Sequence, residues 1–154
     1  LKMNSLQDQE FINKLYEASN AGVQITLLIR GICCLIPQIK GLSVNIQAFS
    51  IVDRFLEHSR VFIFHNGGKE EVYLSSADWM VRNLDHRIET CFPIYNPELI
   101  DLIKTLMETQ VKDNVKSRIL DEDHQNIYHR NDSDMAIRSQ LETYYLLKRR
   151  LEQG

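Results

Sequence analysis

The stretch VQITLLIRG, residues 23–31, decides the fold class of this chain. It is a near-continuous apolar run, which is typical of a strand covered on both faces within a parallel or mixed sheet. The run ends abruptly at Arg30 and Gly31, so the Arg30 guanidinium is expected at the end of a buried strand, where open α/β sheets place their ligands. The stretch predicts an α/β fold with a polar site at one edge of the sheet.

Four further segments read as strands on either side of a Gly-Gly turn. They are β-branched or aromatic in content and are bounded by turn residues, at 46–51, 61–64, 71–74 and 87–92. The turn Asn66-Gly67-Gly68 is expected to join two of them as a hairpin. Together with the first run, they predict one mixed sheet.

Three segments have helical periodicity. Residues 6–20 repeat apolar side chains at helical spacing, and residues 97–112 follow Asn96-Pro97, an expected cap with proline at the first helical position. A last helix is predicted at 135–151, after a polar loop at 121–134. The sheet is therefore expected to be flanked by helices, with the C-terminal part mainly helical.

Composition limits the classes of function. The 154 residues, 44% hydrophobic, suit one domain, which would bury roughly 70% of its unfolded surface. The net charge of −3 argues against a general nucleic-acid surface, so an anion site would have to be focal. Three cysteines without metal spacing fit a reduced cytoplasmic compartment and predict no metal site, and no apolar run approaches the length of a membrane span. The chain begins Leu-Lys-Met, as a fragment of a longer protein would.

Arg30 is a candidate phosphate ligand. Its planar fork donates two parallel hydrogen bonds to phosphate oxygens and stays charged when partly desolvated. From the residues alone, a structural ion pair explains Arg30 equally well.

His58 and Arg60 form a second candidate group. Residues two apart on a strand share a face, so both side chains are expected to address one anion, with the histidine able to give or take a proton. Taken in isolation, His58-x-Arg60 is also what a half-exposed histidine before a strand looks like.

Polar residues after the next strand extend the group. Ser76 and Asp78 follow residues 71–74 directly, and Arg87 and Glu89 would share a face of the predicted strand 87–92. Side chains from separate strand ends are expected to converge at one site, although Arg87 and Glu89 also read as a surface ion pair.

Three blocks in this order resemble the C-terminal catalytic domain of polyphosphate kinase. They are LLIRGICCLIP, SIVDRFLEHSRVFIFHNGG and VYLSSADWMVRNLDHRIE. The resemblance implies a phospholipase D-like fold in which two related domains form one active site. This chain is similar to most of the second domain, so residues 1–154 are expected to be a C-terminal fragment without the upstream domains.

The motifs differ from the phospholipase D pattern itself. That pattern is His-x-Lys-x4-Asp followed by Gly-Ser-x-Asn, whereas this chain has Arg60 in place of the lysine, His65 in place of the aspartate, and Ser75 and Asp78 in place of the glycine and asparagine. The differences disfavour independent phosphodiester hydrolysis and agree with the kinase family.

The resemblance also implies the chemistry. The kinase would move the γ-phosphate of ATP reversibly to polyphosphate through a phosphohistidine whose histidine lies in the preceding domain. His58 would then be the assisting histidine, donating a proton to the bridging oxygen. Arg30 and Arg87 would bind nucleotide phosphates, with Arg60 as a further phosphate ligand and Ser76, Asp78 and Glu89 in support, and Mg²⁺ would arrive on ATP.

Other implications concern partners and the alternatives. The expected partners are ATP or ADP, inorganic polyphosphate and the preceding domain, with no nucleic acid. The full-length protein would be a cytoplasmic homo-oligomer, peripheral to the inner membrane at most, and the fragment alone would be inactive. A phospholipase D-type phosphodiesterase and a non-catalytic nucleotide- or polyphosphate-binding module remain open.

Overall fold

A seven-stranded mixed sheet organises the molecule. The computed structural model describes residues 1–123, 125–130 and 135–153, and the strand order in them is β6-β5-β4-β1-β2-β3-β7. The strands are β1 (Lys2–Met3), β2 (Ile25–Ile29), β3 (Ile46–Ile51), β4 (Val61–Phe64), β5 (Glu71–Ser75), β6 (Cys91–Pro93) and β7 (Ser117–Ile119). The helices are α1 (Gln9–Asn20), α2 (Val81–Leu84), α3 (Pro97–Val111) and α4 (Ser139–Gln153).

Strand β2 lies near the centre of the sheet and pairs in parallel with both β1 and β3. Leu27 and Ile29 are fully buried in the core that includes α1, while Leu28 faces the opposite core, beside Met107 of α3. Burying one such side chain contributes about 1.5–3 kcal/mol. The side chains of this apolar run therefore pack into the cores on both faces of the sheet, and the predicted mixed α/β fold is confirmed.

The hairpin predicted at Asn66-Gly67-Gly68 joins β4 to β5, which pair antiparallel from Val61 with Leu74 to Phe64 with Glu71. Asn66, Gly67 and Gly68 have φ values of 44°, 61° and 90°. Glycine adopts such left-handed values without steric cost and asparagine tolerates them, which is why the chain reverses here.

Side-chain caps fix the starts of two helices. The Asp8 carboxylate accepts a hydrogen bond from the Phe11 amide, so α1 begins at Gln9. The prediction of a start at residue 6 was wrong, because Leu6 instead forms bridges with Cys33 and Trp79. Asn96 caps α3 through the amides of Glu98 and Leu99, as predicted.

Two other predicted elements have different bounds. Residues 87–90 are not strand, because the Glu89 side chain is bonded to Ser76 and Asn83, and β6 starts only at Cys91. The last helix begins at Ser139 rather than at residue 135, because the amide and hydroxyl of Ser139 both donate to Asp113 and fix the start there. The predicted loop 121–134 lies partly outside the described residues, at 124 and 131–134.

Candidate active site

Arg30 lies directly after β2, at the edge of the sheet, and is half-buried. Its Nε donates to the Oδ1 atom of Asn4 at 3.1 Å, and its carbonyl accepts from the Ser50 hydroxyl at 3.3 Å. Asn4 follows β1, the parallel neighbour of β2, so the two strand ends bring these side chains together.

Asp78 is buried, with 4% of its surface exposed, and its carboxylate accepts hydrogen bonds from several neighbouring groups. Its Oδ1 accepts from the Asn4 amide at 2.7 Å, the Asn4 side chain at 3.3 Å and the Ser5 amide at 3.2 Å. Burial acts to raise the pKa of Asp78, but hydrogen bonds from Arg60 and the Asn4 amide outweigh it and hold that pKa below its usual value. Asp78 is therefore a buried carboxylate at neutral pH.

Arg60 joins Asp78 to His58. Its Nε and Nη2 donate to the two Asp78 oxygens at 3.2 and 3.0 Å, the bidentate geometry that arginine favours. Its Nη1 donates to the His58 carbonyl at 2.9 Å and lies 3.2 Å from the His58 Nδ1. Arg30, Asn4, Asp78, Arg60 and His58 thus form one continuous network, which we call the edge network.

The predicted proximity of His58 and Arg60 has a different geometric basis from the one expected. Both residues precede β4, which starts at Val61, so they do not share a strand face. They are adjacent because the Arg60 side chain turns back onto His58, which remains exposed.

Ser76 and Glu89 form a second polar group beside the edge network. The Glu89 carboxylate accepts from the Ser76 hydroxyl and from the Asn83 amide nitrogen, the latter at 2.7 Å. Those two hydrogen bonds, helped by the nearby charges of Arg87 and Arg60, lower the pKa of Glu89. The group keeps a carboxylate close to Arg60.

Arg87 is exposed in the segment before β6, so the predicted strand face shared by Arg87 and Glu89 does not exist. Both residues instead line a cleft of about 490 Å³ whose other walls include Phe62, Tyr73 and Trp79. Trp79 itself belongs to the core, with its ring centroid 4.4 Å from that of Phe11.

Several residues around this site could not be identified from the sequence. Asn4 links Arg30 to Asp78, and it sits in a short segment with no periodic pattern. Glu57, next to His58, accepts from Lys2, from Gln110 at 3.0 Å and from Gln140 at 2.9 Å. Their sequence separations of 53 to 83 residues leave no local signal for these pairs.

Three general features of the described part of the chain bear on the chemistry. Residues 1–123, 125–130 and 135–153 contain no cluster of three or more His, Cys, Asp or Glu arranged to hold a metal ion. Within those same residues, no helix has the length and apolarity that crossing a membrane requires. The three cysteines are free thiols, and burial raises the pKa of Cys33 to about 11.

The arrangement suits an anionic ligand. Two arginines and a histidine lie at the carboxyl end of β2 and the start of β4, where the buried Asp78 holds one of the arginines in place. Such a site can bind phosphate oxygens through arginine and move a proton through histidine.

Comparisons with known proteins agree on one family. Residues 1–140 match the family model described as "Polyphosphate kinase C-terminal domain 2". Polyphosphate kinase of Salmonella typhimurium is 48% identical over 148 residues, which cover 96% of this chain and 22% of that protein. The Exiguobacterium enzyme of the same name is 52% identical over 141 residues, 91% of this chain and 20% of that protein.

A solved structure gives the same result in three dimensions. The crystal structure of polyphosphate kinase from Porphyromonas gingivalis superposes with a TM-score of 0.96 at 49% identity, covering all of this chain and 24% of that one. This match confirms the phospholipase D-like α/β fold class that the resemblance implied. The chain spans about a fifth of the length of the curated relatives it matches.

Proposed function

This chain belongs to the polyphosphate kinase family, as its C-terminal domain 2, and from that premise we propose that it supplies one half of a phosphoryl-transfer site. The full-length protein would transfer the γ-phosphate of ATP reversibly to polyphosphate. His58, Arg30, Arg87 and Arg60 are the residues of this half that we place at the reaction, supported by Ser76, Asp78 and Glu89.

The edge network is the observation that carries the proposal. It joins Arg30 to His58 through Asn4, Asp78 and Arg60, at the sheet edge where α/β folds bind ligands. A guanidinium and an exposed imidazole on one buried support are what phosphate binding with proton transfer needs.

The proposed cycle has two displacements. A histidine nitrogen from another domain attacks the γ-phosphorus of ATP, forming a P–N bond as the bond from that phosphorus to the bridging oxygen breaks, and ADP leaves. A terminal oxygen of polyphosphate then attacks the phosphohistidine, the P–N bond breaks, and the polymer is one unit longer. The reverse sequence regenerates ATP.

His58 assists without accepting the phosphoryl group. Negative charge grows on the bridging oxygen as the P–O bond breaks, and a hydrogen bond or proton from the imidazole would offset it. Arg30 and Arg87 would offset the charge on the nucleotide phosphates, a task shared with the Mg²⁺ that accompanies ATP as part of the substrate.

The wider organisation belongs to the same proposal. Residues 1–154 would be the second of two phospholipase D-like domains, with the preceding domain as a partner in the same chain. The assembled protein would be a cytoplasmic homo-oligomer, with any membrane association peripheral.

Substitutions in the full-length enzyme test the roles of His58 and Arg30. We expect His58→Ala to lower polyphosphate synthesis about 10²- to 10⁴-fold, the usual contribution of a general acid. Arg30→Ala should lower turnover and also weaken ATP binding. The exposed residues His65 and Arg82 provide matched controls, since His65→Ala and Arg82→Ala should leave both quantities near wild type.

The two substitutions have separate contradicting outcomes. Wild-type synthesis by His58→Ala would remove the assisting role of the histidine. Unchanged turnover in Arg30→Ala at saturating ATP, with weaker binding, would indicate a module that holds ligand and takes no part in the chemistry.

A further inference from the structure

We infer that Arg60 is a positioning residue, which, anchored by Asp78, holds His58 in the tautomer that carries its proton on Nε2. This inference rests on the proposed function, in which His58 assists phosphoryl transfer. It gives Arg60 a task other than direct phosphate binding and makes Asp78 the support of the histidine.

The Arg60 guanidinium is already occupied by acceptors within the chain. Nε and Nη2 donate to the Asp78 carboxylate, and Nη1 faces both the His58 carbonyl and its Nδ1. All but one of the N–H groups of this guanidinium are thereby used. The side chain is 13% exposed, which leaves little room for a phosphate to replace these partners.

The contact with the imidazole fixes which nitrogen holds the proton. Arginine has no acceptor and does not lose its proton in proteins, so Nη1 can only donate to the His58 Nδ1 at 3.2 Å. Nδ1 must then present its lone pair, and the proton of the neutral ring lies on Nε2.

The tautomer decides what His58 can do. With Nδ1 turned to Arg60, Nε2–H is the group left to face a substrate, and it is a donor. The neutral ring thus offers a hydrogen-bond donor to the bridging oxygen as negative charge develops on it, without transferring the proton. The Nδ1–H tautomer would present a lone pair to that oxygen, and the two would repel each other.

Asp78 makes this arrangement rigid. Its Oδ1 is held by the backbone amides of Asn4 and Ser5, so the carboxylate cannot rotate away from Arg60 without leaving buried donors without acceptors. Arg60 is thus fixed at one end by a buried anion and at the other by the backbone of the histidine it orients.

Kinetics of the full-length enzyme provide the first test. Lysine keeps the charge of Arg60 but cannot reach both Asp78 oxygens and His58 together, and Asp78→Asn removes the charge that anchors Arg60. We expect Arg60→Lys and Asp78→Asn each to lower kcat roughly 10²-fold, at the lower end of what one preorganised hydrogen-bond donor to a developing negative charge contributes, with the KM for ATP changed less than about threefold.

The controls match the chemistry of each change. Arg82→Lys alters an exposed arginine, and Glu17→Gln removes the charge from an exposed ion pair in which Glu17 lies 2.7 Å from Lys14. Neither should change kcat. A raised KM with unchanged kcat in Arg60→Lys would assign Arg60 to phosphate binding and overturn the inference, as would wild-type kcat in Asp78→Asn.

Nuclear magnetic resonance reads the tautomer directly. The full-length enzyme, labelled with ¹⁵N-histidine, should show a His58 ring protonated at Nε2, identified by its loss in His58→Gln. Arg60→Lys should convert that signal to a mixture of tautomers. An Nδ1-protonated ring in the wild type overturns the inference.

The two measurements separate this inference from the proposed function. If His58→Ala keeps full activity, the catalytic role of His58 is wrong, even where the spectra show the Nε2–H tautomer. If His58→Ala is inactive while Arg60→Lys and Asp78→Asn are not, the proposed function stands and the positioning role of Arg60 is wrong.

Discussion

Asp113 shows how one residue can hold distant segments together. It is fully buried, and its Oδ1 accepts from the amides of Val115, Lys116 and Ser117 at 2.7–3.1 Å. Its Oδ2 accepts from the amide and hydroxyl of Ser139, both at 2.7 Å. One carboxylate therefore closes the turn before β7 and fixes the first residue of α4.

Asp113→Asn should lower the free energy of unfolding by about 2–3 kcal/mol at pH 7, because the amide nitrogen cannot accept from Ser139. Burial acts to raise the pKa of Asp113, but the backbone hydrogen bonds from Lys116 and Ser139 outweigh it and lower the pKa. Because the pKa of Asp113 is lower in the folded state, its ionised carboxylate stabilises the fold at pH values above the unfolded-state pKa, which is near 4. This stabilisation is lost as the pH falls through the folded-state pKa.

Chemical denaturation of wild type and Asp113→Asn between pH 7 and 3 measures this difference. The difference in the free energy of unfolding between the two proteins should be constant above about pH 5 and should become smaller below about pH 4. Asp101→Asn is the control, since that carboxylate is 74% exposed and should change stability by less than about 0.5 kcal/mol. A gap that stays constant down to pH 3 would contradict the assignment.

Residue identity was more predictable than residue partnership. Arg30, His58, Arg60 and Asp78 could be singled out from their positions at the ends of apolar runs, and the structure joins them in the edge network. The bond between Arg60 and Asp78 spans 18 residues, and only the pairing of β4 with β5 brings them together. Sequence spacing alone could not show that Arg60 faces Asp78 and His58.

The segment between β3 and β4, which carries His58, is attached to the start of α4. Asp53 accepts from the Arg138 Nε and Nη2 at 2.8 and 2.5 Å, and this bidentate pair lowers the pKa of Asp53. Gln140 accepts from the Phe55 amide and donates to the Phe55 carbonyl, both at 2.8 Å. The C-terminal helix thus stabilises the loop that leads into the candidate site.

Gln140→Ala should loosen this segment. The change removes the two bonds to Phe55 and the bond to Glu57, and we expect a loss of about 1–3 kcal/mol in the free energy of unfolding. Hydrogen exchange at the Phe55 amide should accelerate by more than the decrease in the global free energy of unfolding accounts for. Gln153→Ala, at the exposed end of the same helix, should leave that amide unchanged, and equal exchange in both variants would contradict the attachment.

Element prediction succeeded where burial imposes a pattern over several residues. β3 and β4 have the predicted bounds, because each has a neighbouring strand on both sides and contributes apolar side chains to the core. β1 and β7 were missed, since two and three residues are too few to show a period of two. Tyr95 is 85% exposed although it is aromatic, because the chain has left the sheet at the end of β6.

At the scale of the whole molecule, the charge distribution is compatible with the proposed anionic substrate, although the net charge of the chain is −3. Cationic groups meet at one sheet edge, and the buried Asp78 orients Arg60 there, while Arg30 is bonded to the neutral Asn4. The proposed phosphate site would therefore be focal, and its attraction for phosphate should weaken as salt is raised.

The 154-residue chain alone should bind short polyphosphate weakly and catalyse no transfer. The edge network is formed within the chain, so some phosphate affinity should remain, of millimolar order, equivalent to about −4 kcal/mol. The proposed nucleophile lies in another domain, so incubation with MgATP and polyphosphate should release no ADP above the uncatalysed rate. Calorimetric titration measures the binding, and Arg30→Ala should abolish it while Arg82→Ala does not.

Hydrolysis of a generic phosphodiester by the chain would instead support a self-contained phospholipase D-type activity. Binding unaffected by Arg30→Ala would show that the phosphate contacts lie elsewhere on the domain.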